Sequence, residues 1–242
     1  MFRARWAGTA IAVVACTLGV GTGVAGAQAT TPTAATDQAL AEQSVILAAD
    51  LPTGWDASPH DASGEAETLQ AARAVSACAG YADFEAANDT VPSAQSDDFS
   101  AGANGIHSAA YVYPTTAAAK TAMRSLRPTK RVARCLTRLL RTSLAAAYAD
   151  QPDAQVRAAV RPVEQSLALA DSDAVGFGGG YSVGVDGTTA NRSFGIAAVR
   201  IGRIIGTYTV DTDPEAATVP TAFQGAVDAS LRRAQAAQAP TP

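Results

Sequence analysis

The only match to a catalytic motif is the pentapeptide Gly180–Gly184, which reads Gly-x-Ser-x-Gly with Ser182 at its centre. In serine hydrolases this pattern forms a sharp turn between a strand and a helix, and an acid and a histidine follow it along the chain. Here strand-like sequence continues after the motif, and both histidines, His60 and His107, precede it. We therefore assign no catalytic residue, and a serine hydrolase using Ser182 is only a remote alternative.

The glycines around this motif do not indicate a nucleotide site. A phosphate loop needs Gly-Lys-Ser/Thr before a helix, and that sequence does not follow them. We interpret them as a bulge or a close backbone approach in a twisted strand. They are Gly176, Gly178, Gly179 and Gly180. No cofactor is predicted.

The potential metal ligands are scattered along the chain. Two cysteines, Cys78 and Cys135, and the two histidines lack the paired spacing that is typical of a zinc site. His60 falls in a polar loop and His107 in a predicted strand, so each histidine is expected to be isolated. The sequence therefore predicts no metal site.

The candidate recognition surface is the basic side of an amphipathic helix predicted from Pro128 to about Tyr148. At 100° per residue its apolar and basic residues fall on opposite sides. The apolar side carries Val132, Cys135, Leu136, Leu139 and Leu140. Guanidinium groups bind phosphate and carboxylate well, so the basic side is a candidate anion-binding surface. It carries Lys130, Arg131, Arg134, Arg138 and Arg141.

Charge is unevenly distributed along the chain. Residues 30–98 contain twelve acids and one base, whereas residues 99–149 contain eight bases and no acid. We expect these two segments to pair with each other, so that the basic helix is largely neutralised. The chain carries a formal charge of −4, which argues against nucleic acid as a partner.

The N-terminus has the layout of a secretory signal peptide. Arg3 and Arg5 precede a long uncharged stretch rich in alanine, valine and glycine, and small residues precede a predicted cut after Ala29. Such a cut would change the formal charge from −4 to −6, because it removes both arginines. The alternatives are lipid attachment at Cys16 and an uncleaved anchor; membrane association is expected only with one of these two.

Export leaves Cys78 and Cys135 as a pair in the mature chain. One disulfide is the expectation in an oxidising compartment, with two separate buried thiols as the alternative. A crosslink closing so long a loop contributes about 4 kcal/mol in chain-entropy models.

The predicted fold class is α+β, an antiparallel sheet with helices packed around it. Residues 30–36 and 235–242 are predicted to be disordered, and residues 37–234 to form one domain. The C-terminal meander is predicted from two turns, at Asp186-Gly187 and Ile201-Gly202. The predicted helices are 37–48, 65–81, 117–126, 128–148 and 219–237, and the predicted strands are 98–101, 106–113, 174–185, 193–200 and 203–211.

Several short motifs resemble a group of actinobacterial exported proteins and lipoproteins. They include Ala48–Trp55, Tyr111–Pro114 before an alanine-rich helix, and Arg134–Leu136, followed by Asp171–Val175 and Val199–Arg203. This group is similar to the extracellular sensor domain of PknH-like receptor kinases. The resemblance implies an antiparallel sheet with packed helices and a binding or sensing role in the cell envelope. Sensor domains of this kind usually carry two disulfides, whereas this chain has cysteines for one.

The predicted function is a non-catalytic, extracytoplasmic binding module of the cell envelope. Its partner is an unidentified envelope ligand or protein, and we expect a small or lipid-like molecule in an apolar pocket between the meander and the basic helix. The alternative is a structural or protein-interaction domain acting through an exposed face.

Overall fold

The computed structural model describes residues 31–60, 65–80, 90–126, 129–163, 172–216 and 219–238. The predicted signal peptide, its cut after Ala29 and the alternative lipid site at Cys16 lie outside these residues. No helix in the described parts of the chain has both the length and the apolar character needed to cross a membrane.

The described residues contain both helices and strands, as the α+β prediction requires. The helices are α1 (Thr31–Gln43), α2 (Glu65–Ala79), α3 (Thr116–Ser125), α4 (Lys130–Ala147) and α5 (Val219–Ala237), with a short 3-10 helix at Ala48–Asp50. The strands are β1 (Asp56–Ser58), β2 (Ser93–Gln95), β3 (Asp98–Ala101), β4 (Asn104–Val112), β5 (Gln155–Val163), β6 (Ser172–Val185), β7 (Thr188–Ile201) and β8 (Ile204–Thr212).

The eight strands form one antiparallel sheet in the order β1-β3-β4-β8-β7-β6-β5, with β2 paired to β4 beside β3. The meander prediction is confirmed, since β6, β7 and β8 are consecutive neighbours. The β6–β7 turn places Asp186 at φ 50° and Gly187 at φ 77°, the left-handed conformation that a tight two-residue hairpin turn requires. The α+β fold class is confirmed.

Helices cover both faces of this sheet. Side chains of a strand alternate between faces, so the residues that each helix contacts on β7 identify its side. Ala197, Val199 and Ile201 pack with α5, whereas Phe194 lies in the cluster that contains Leu140 of α4. The helices α1 and α5 therefore lie on one face, which we call the α5 face. The helices α3 and α4 lie on the other, which we call the α4 face.

The glycines of β6 permit a close approach between strands. A Cβ at Gly179 would lie 2.3 Å from the carbonyl oxygen of Ala159 and 2.8 Å from the ring of Phe194. The register continues through this segment on both sides of β6, so a close approach rather than a bulge is what the glycines serve.

The helices at the two ends of the described chain extend into segments expected to be disordered, although α5 has the bounds predicted for a helix, and one edge strand was not predicted. The helix α1 begins at Thr31, within the predicted disordered lead. At the other end α5 continues to Ala237, and Gln238 accepts a hydrogen bond from the backbone N–H of Arg203 at 3.1 Å. The edge strand β5 was not predicted, because Pro162 and its arginines weaken the pattern of a strand.

Candidate functional site

The basic helix α4 is positioned by a cap at its start and by apolar contacts along its inner side. The hydroxyl of Thr129 accepts a hydrogen bond from the backbone N–H of Val132 at 3.2 Å and so caps the helix. The helix begins at Lys130, two residues later than predicted. Leu140 and Leu144 are buried against Ala158 of β5 and Phe194 of β7. The predicted orientation, apolar side inward, is confirmed.

The predicted disulfide is present. Cys78 of α2 and Cys135 of α4 are bonded, with their Cα atoms 6.0 Å apart. Cys135 and Val132 of α4 share an apolar cluster with Ala79 of α2, so the crosslink reinforces a packed contact between the two helices. A disulfide fits an oxidising, extracytoplasmic compartment.

All five basic residues of the predicted surface are exposed, but two of them have structural contacts. The Nε of Arg131 donates to the carbonyl oxygen of Cys78 at 3.2 Å. Arg141 donates twice to the carbonyl oxygen of Ala158, from Nε at 3.1 Å and from Nη2 at 2.8 Å. These bonds hold α4 to its neighbours without neutralising its charge, because carbonyl groups carry no net charge.

Arg134 and Arg138 lack such backbone contacts, and like Arg131 and Arg141 they form no ion pair with any residue that the structure describes. The expected pairing between the acidic segment and the basic helix is therefore not found in the described chain. Two acids of that segment pair with the C-terminal part instead. Asp37 pairs with Arg203, and Asp50 with Arg233.

A shallow concavity of about 360 Å³ lies along this side of α4. Its lining consists of cationic and hydroxyl-bearing residues at helical spacing, namely Arg134, Thr137, Arg138, Arg141 and Thr142. Thr137 also accepts a hydrogen bond from the backbone N–H of Val160 at 3.0 Å, which fixes its position beside β5. The guanidinium groups of this arrangement present N–H donors with positive charge, which suits an anion.

The expected apolar pocket between the meander and the basic helix is not found among the described residues. The side chains that would line it pack against one another, with Leu144, Val183 and Phe194 all buried. The concavity lies instead along α4 beside β5, and the residues that line it are arginines and threonines.

Ser182 lies within β6, paired with Arg157 of β5 and Asn191 of β7. The chain contains only two histidines, and His107 is on β4, three strands away. With strands spaced about 4.8 Å apart, that separation is about 14 Å and excludes a serine–histidine hydrogen bond. The hydrolase alternative therefore has no geometric support.

The structure brings together two residues that the sequence separates. His60, just after β1, and His107 of β4 stack with ring centroids 4.5 Å apart and planes inclined by 28°. The Nδ1 atom of each lies 3.0 Å from Oδ1 of Asp98, at the start of β3. The prediction that the histidines are isolated is wrong, because the registers of β1 and β4 against β3 place both beside one aspartate. No local spacing in the sequence could reveal this.

A second polar group on the α4 face crosses β6, β7 and β8. Arg192 donates to Asp211, with Nη2 and Oδ2 2.9 Å apart. Burial raises the pKa of Asp211, and the hydrogen bond from Arg192 opposes that increase. Burial, together with the charge of Asp211, raises the pKa of Tyr181 to about 12. These shifts follow from packing under α4, so we assign this group a structural role.

Sequence comparison gives no relatives: no protein-family model and no curated protein matches the chain. Structural comparison matches the extracellular domain of PknH from Mycobacterium tuberculosis with a TM-score of 0.31 and 12% identity, covering 65% of this chain and 69% of that chain. An uncharacterized protein from Mycobacterium smegmatis matches with a TM-score of 0.38 and 9% identity, covering 84% and 98%. The PknH domain is of the kind that the sequence motifs resemble, but both scores are too low to carry an argument about function.

Proposed function

We propose that this protein is a non-catalytic, extracytoplasmic binding module that recognises an anionic group, a phosphate or a carboxylate, in the concavity along α4. The observation that carries the proposal is that Arg134 and Arg138 line a concavity while forming no ion pair within the described chain. Elsewhere in the described structure, four arginines pair with aspartates.

The spacing of the two arginines supports recognition of one anion. Residues four apart on a helix are neighbours, so both guanidinium groups can reach the same phosphate. Thr137 lies between them on the same side of the helix, but its hydroxyl already donates to the carbonyl oxygen of Ala133 at 2.8 Å, so the guanidinium groups supply the donors. Hydrogen bonds between guanidinium and phosphate are charge-assisted, and they gain geometric specificity when they are bidentate.

The overall charge makes this surface selective. The chain is net negative, at −4, so an anion is repelled by the protein as a whole and attracted mainly where cations cluster. The backbone contacts of Arg131 and Arg141 hold α4 in place and keep its positive potential. Phosphate-bearing polymers and anionic lipid headgroups at a cell envelope offer the matching chemistry.

Co-sedimentation with vesicles tests the proposal. We expect the protein to bind vesicles containing phosphatidylglycerol and not vesicles of phosphatidylcholine alone. In the double variant R134Q/R138Q the affinity should fall about 30-fold, since each basic residue near an anionic surface contributes about 1 kcal/mol. Inorganic phosphate as a competitor distinguishes recognition of the phosphate group itself from attraction to the charged surface.

The matched control is R124Q/R232Q, which removes the same charge from two exposed arginines outside the concavity. Its affinity should change less than twofold. Equal losses in the two double variants would mean that only net charge matters. No binding by the unaltered protein to either phosphate or anionic vesicles would also contradict the proposal.

A further inference from the structure

The cluster of His60, Asp98 and His107 takes no part in the proposed anion binding. Its position follows from the registers of three neighbouring strands. The register of β3 and β4 pairs Phe99 with Ile106, and one further step sets Asp98 beside His107. On its other side β3 pairs with β1, with Ser58 opposite Asp98, so His60 follows two residues beyond. All three side chains therefore fall on the α4 face, at the edge of the sheet.

The ligand-bearing atoms of the three residues converge. The Nδ1 atoms of both histidines lie 3.0 Å from the same carboxylate oxygen, Oδ1 of Asp98. One nitrogen or oxygen from each residue can be chosen so that all three atoms lie within 4.8 Å of one another. In a tetrahedral zinc site with bonds of about 2.0–2.1 Å, ligand atoms are about 3.3 Å apart, so small side-chain adjustments suffice.

The ring nitrogens of His107 provide an independent observation that points to a ligand. Its side chain is 11% exposed, and both ring nitrogens are buried without a hydrogen-bond partner among the residues that the structure describes. The 3.0 Å contact of its Nδ1 with Asp98 lacks the direction of a hydrogen bond. An unsatisfied buried polar atom destabilises the folded state, and coordination to a cation would remove that penalty.

We propose that His60, Asp98 and His107 bind a divalent transition-metal ion, with Zn²⁺ as the best match. Two imidazoles and one carboxylate suit zinc and its neighbours in the first transition series, whereas Mg²⁺ and Ca²⁺ prefer oxygen ligands alone. Three protein ligands leave a fourth position for water or an external ligand. His60 is 24% exposed and Asp98 40%, so that position would face solvent.

Isothermal titration with ZnCl₂ tests this site, using the tag-free exported chain after dialysis against EDTA. We expect one equivalent of Zn²⁺ to bind with a Kd of about 10 µM or tighter, by order of magnitude for a three-ligand site. His60→Ala and Asp98→Asn should each weaken binding at least 100-fold. Asp97→Asn is the matched control, because it removes the same charge from the neighbouring exposed residue.

Thermal unfolding and Co²⁺ spectra give readouts that do not depend on titration heats. Zn²⁺ should raise the Tm of the unaltered protein and of Asp97→Asn, and should leave both site variants unchanged. Bound Co²⁺ should give visible d–d absorption that His60→Ala abolishes. Circular dichroism of each metal-free variant checks that it is folded. Failure of the unaltered protein to bind Zn²⁺ or Co²⁺ below about 100 µM, or equal binding by the site variants, would overturn the proposal.

Discussion

The two helical layers that cover the sheet are attached to it by different means. On the α5 face, charged pairs link the ends of the chain to the rest: Arg203 binds Asp37 with Nη1 and Oδ2 2.9 Å apart, and Arg233 binds Asp50 with Nη2 and Oδ2 2.7 Å apart. On the α4 face, α2 and α4 are attached by a disulfide, by apolar packing and by arginines that donate to backbone carbonyls.

This difference in attachment explains why the α4 face is the candidate for recognising an anion. On the α5 face, Arg203 and Arg233 are neutralised by aspartates and serve the fold, and the hydrogen bonds that Arg203 donates to Asp37 raise the pKa of Arg203. Because no carboxylate of the described residues pairs with α4, the charges of Arg134 and Arg138 are not neutralised within that part of the chain. Attachment by a covalent bond and by neutral acceptors thus preserves a positive surface on a negatively charged protein.

Removing the disulfide should have the largest effect and should act on the α4 face. Replacing both Cys78 and Cys135 by alanine is expected to lower the free energy of unfolding by about 4 kcal/mol, since the crosslink spans 57 residues. Urea unfolding measures the loss. Hydrogen exchange should show faster opening of α2 and α4 than of α5, and uniform acceleration in all three helices would contradict this division.

Breaking an ion pair should instead act on the α5 face. The Asp50 carboxylate is 7% exposed, and it also accepts a hydrogen bond from the backbone N–H of Leu47 at 2.8 Å. Asp50→Ala should lower the free energy of unfolding by about 3 kcal/mol, because Arg233 loses its counter-charge in a partly buried site. Arg138→Ala should cost less than about 0.5 kcal/mol. Similar losses for the two variants, measured by urea unfolding, would remove the contrast between the faces.

The close strand approach beneath α4 allows a more local test. Gly179→Ala places a Cβ 2.3 Å from the carbonyl oxygen of Ala159, and we expect a loss of about 2 kcal/mol from overpacking. Gly225→Ala in α5 meets no atom within 4 Å and should stabilise the protein by about 0.5 kcal/mol, since alanine favours a helix. Thermal unfolding should give shifts of opposite sign; a neutral Gly179→Ala would show that β5 can move away from β6.

Alkaline pH should reveal the buried tyrosine on the α5 face. Burial raises the pKa of Tyr208 to about 12, and its hydroxyl lies 3.0 Å from Oγ of Ser230. An unfolded tyrosine titrates near pH 10. The contribution of protonated Tyr208 to the free energy of unfolding is therefore complete below about pH 10 and is lost as the pH rises through about 12. Between pH 9 and pH 11 Tyr208→Phe should lose about 1 kcal/mol less stability than the unaltered protein. Equal losses would mean that Tyr208 ionises freely in the folded state.

Patterns within single elements were sufficient to predict most of the helices and the meander. The apolar and basic sides of α4 follow from a repeat that depends only on helix geometry. The turn at Asp186-Gly187 is similarly local, because it needs two residues that tolerate positive φ. The disulfide followed from a count of cysteines together with the expected compartment.

Contacts between distant strands could not be predicted in this way. His60 and His107 meet at Asp98 only because β1 and β4 flank β3 in particular registers, and β1 has just three residues and no apolar alternation. The pairing of Asp37 with Arg203 depends on where α1 meets the β7–β8 turn, which charge counts along the sequence do not reveal. The expected pairing of α4 with acidic residues, which the described residues do not show, depends on such contacts as well.

The most direct test of the anion-binding account is an NMR titration of the arginine Nε–Hε groups with inorganic phosphate. The account predicts saturable shifts for Arg134 and Arg138 and no shift for Arg203 or Arg233, whose charges are already paired. Shifts of equal size in all four groups, or none in Arg134 and Arg138, would contradict it.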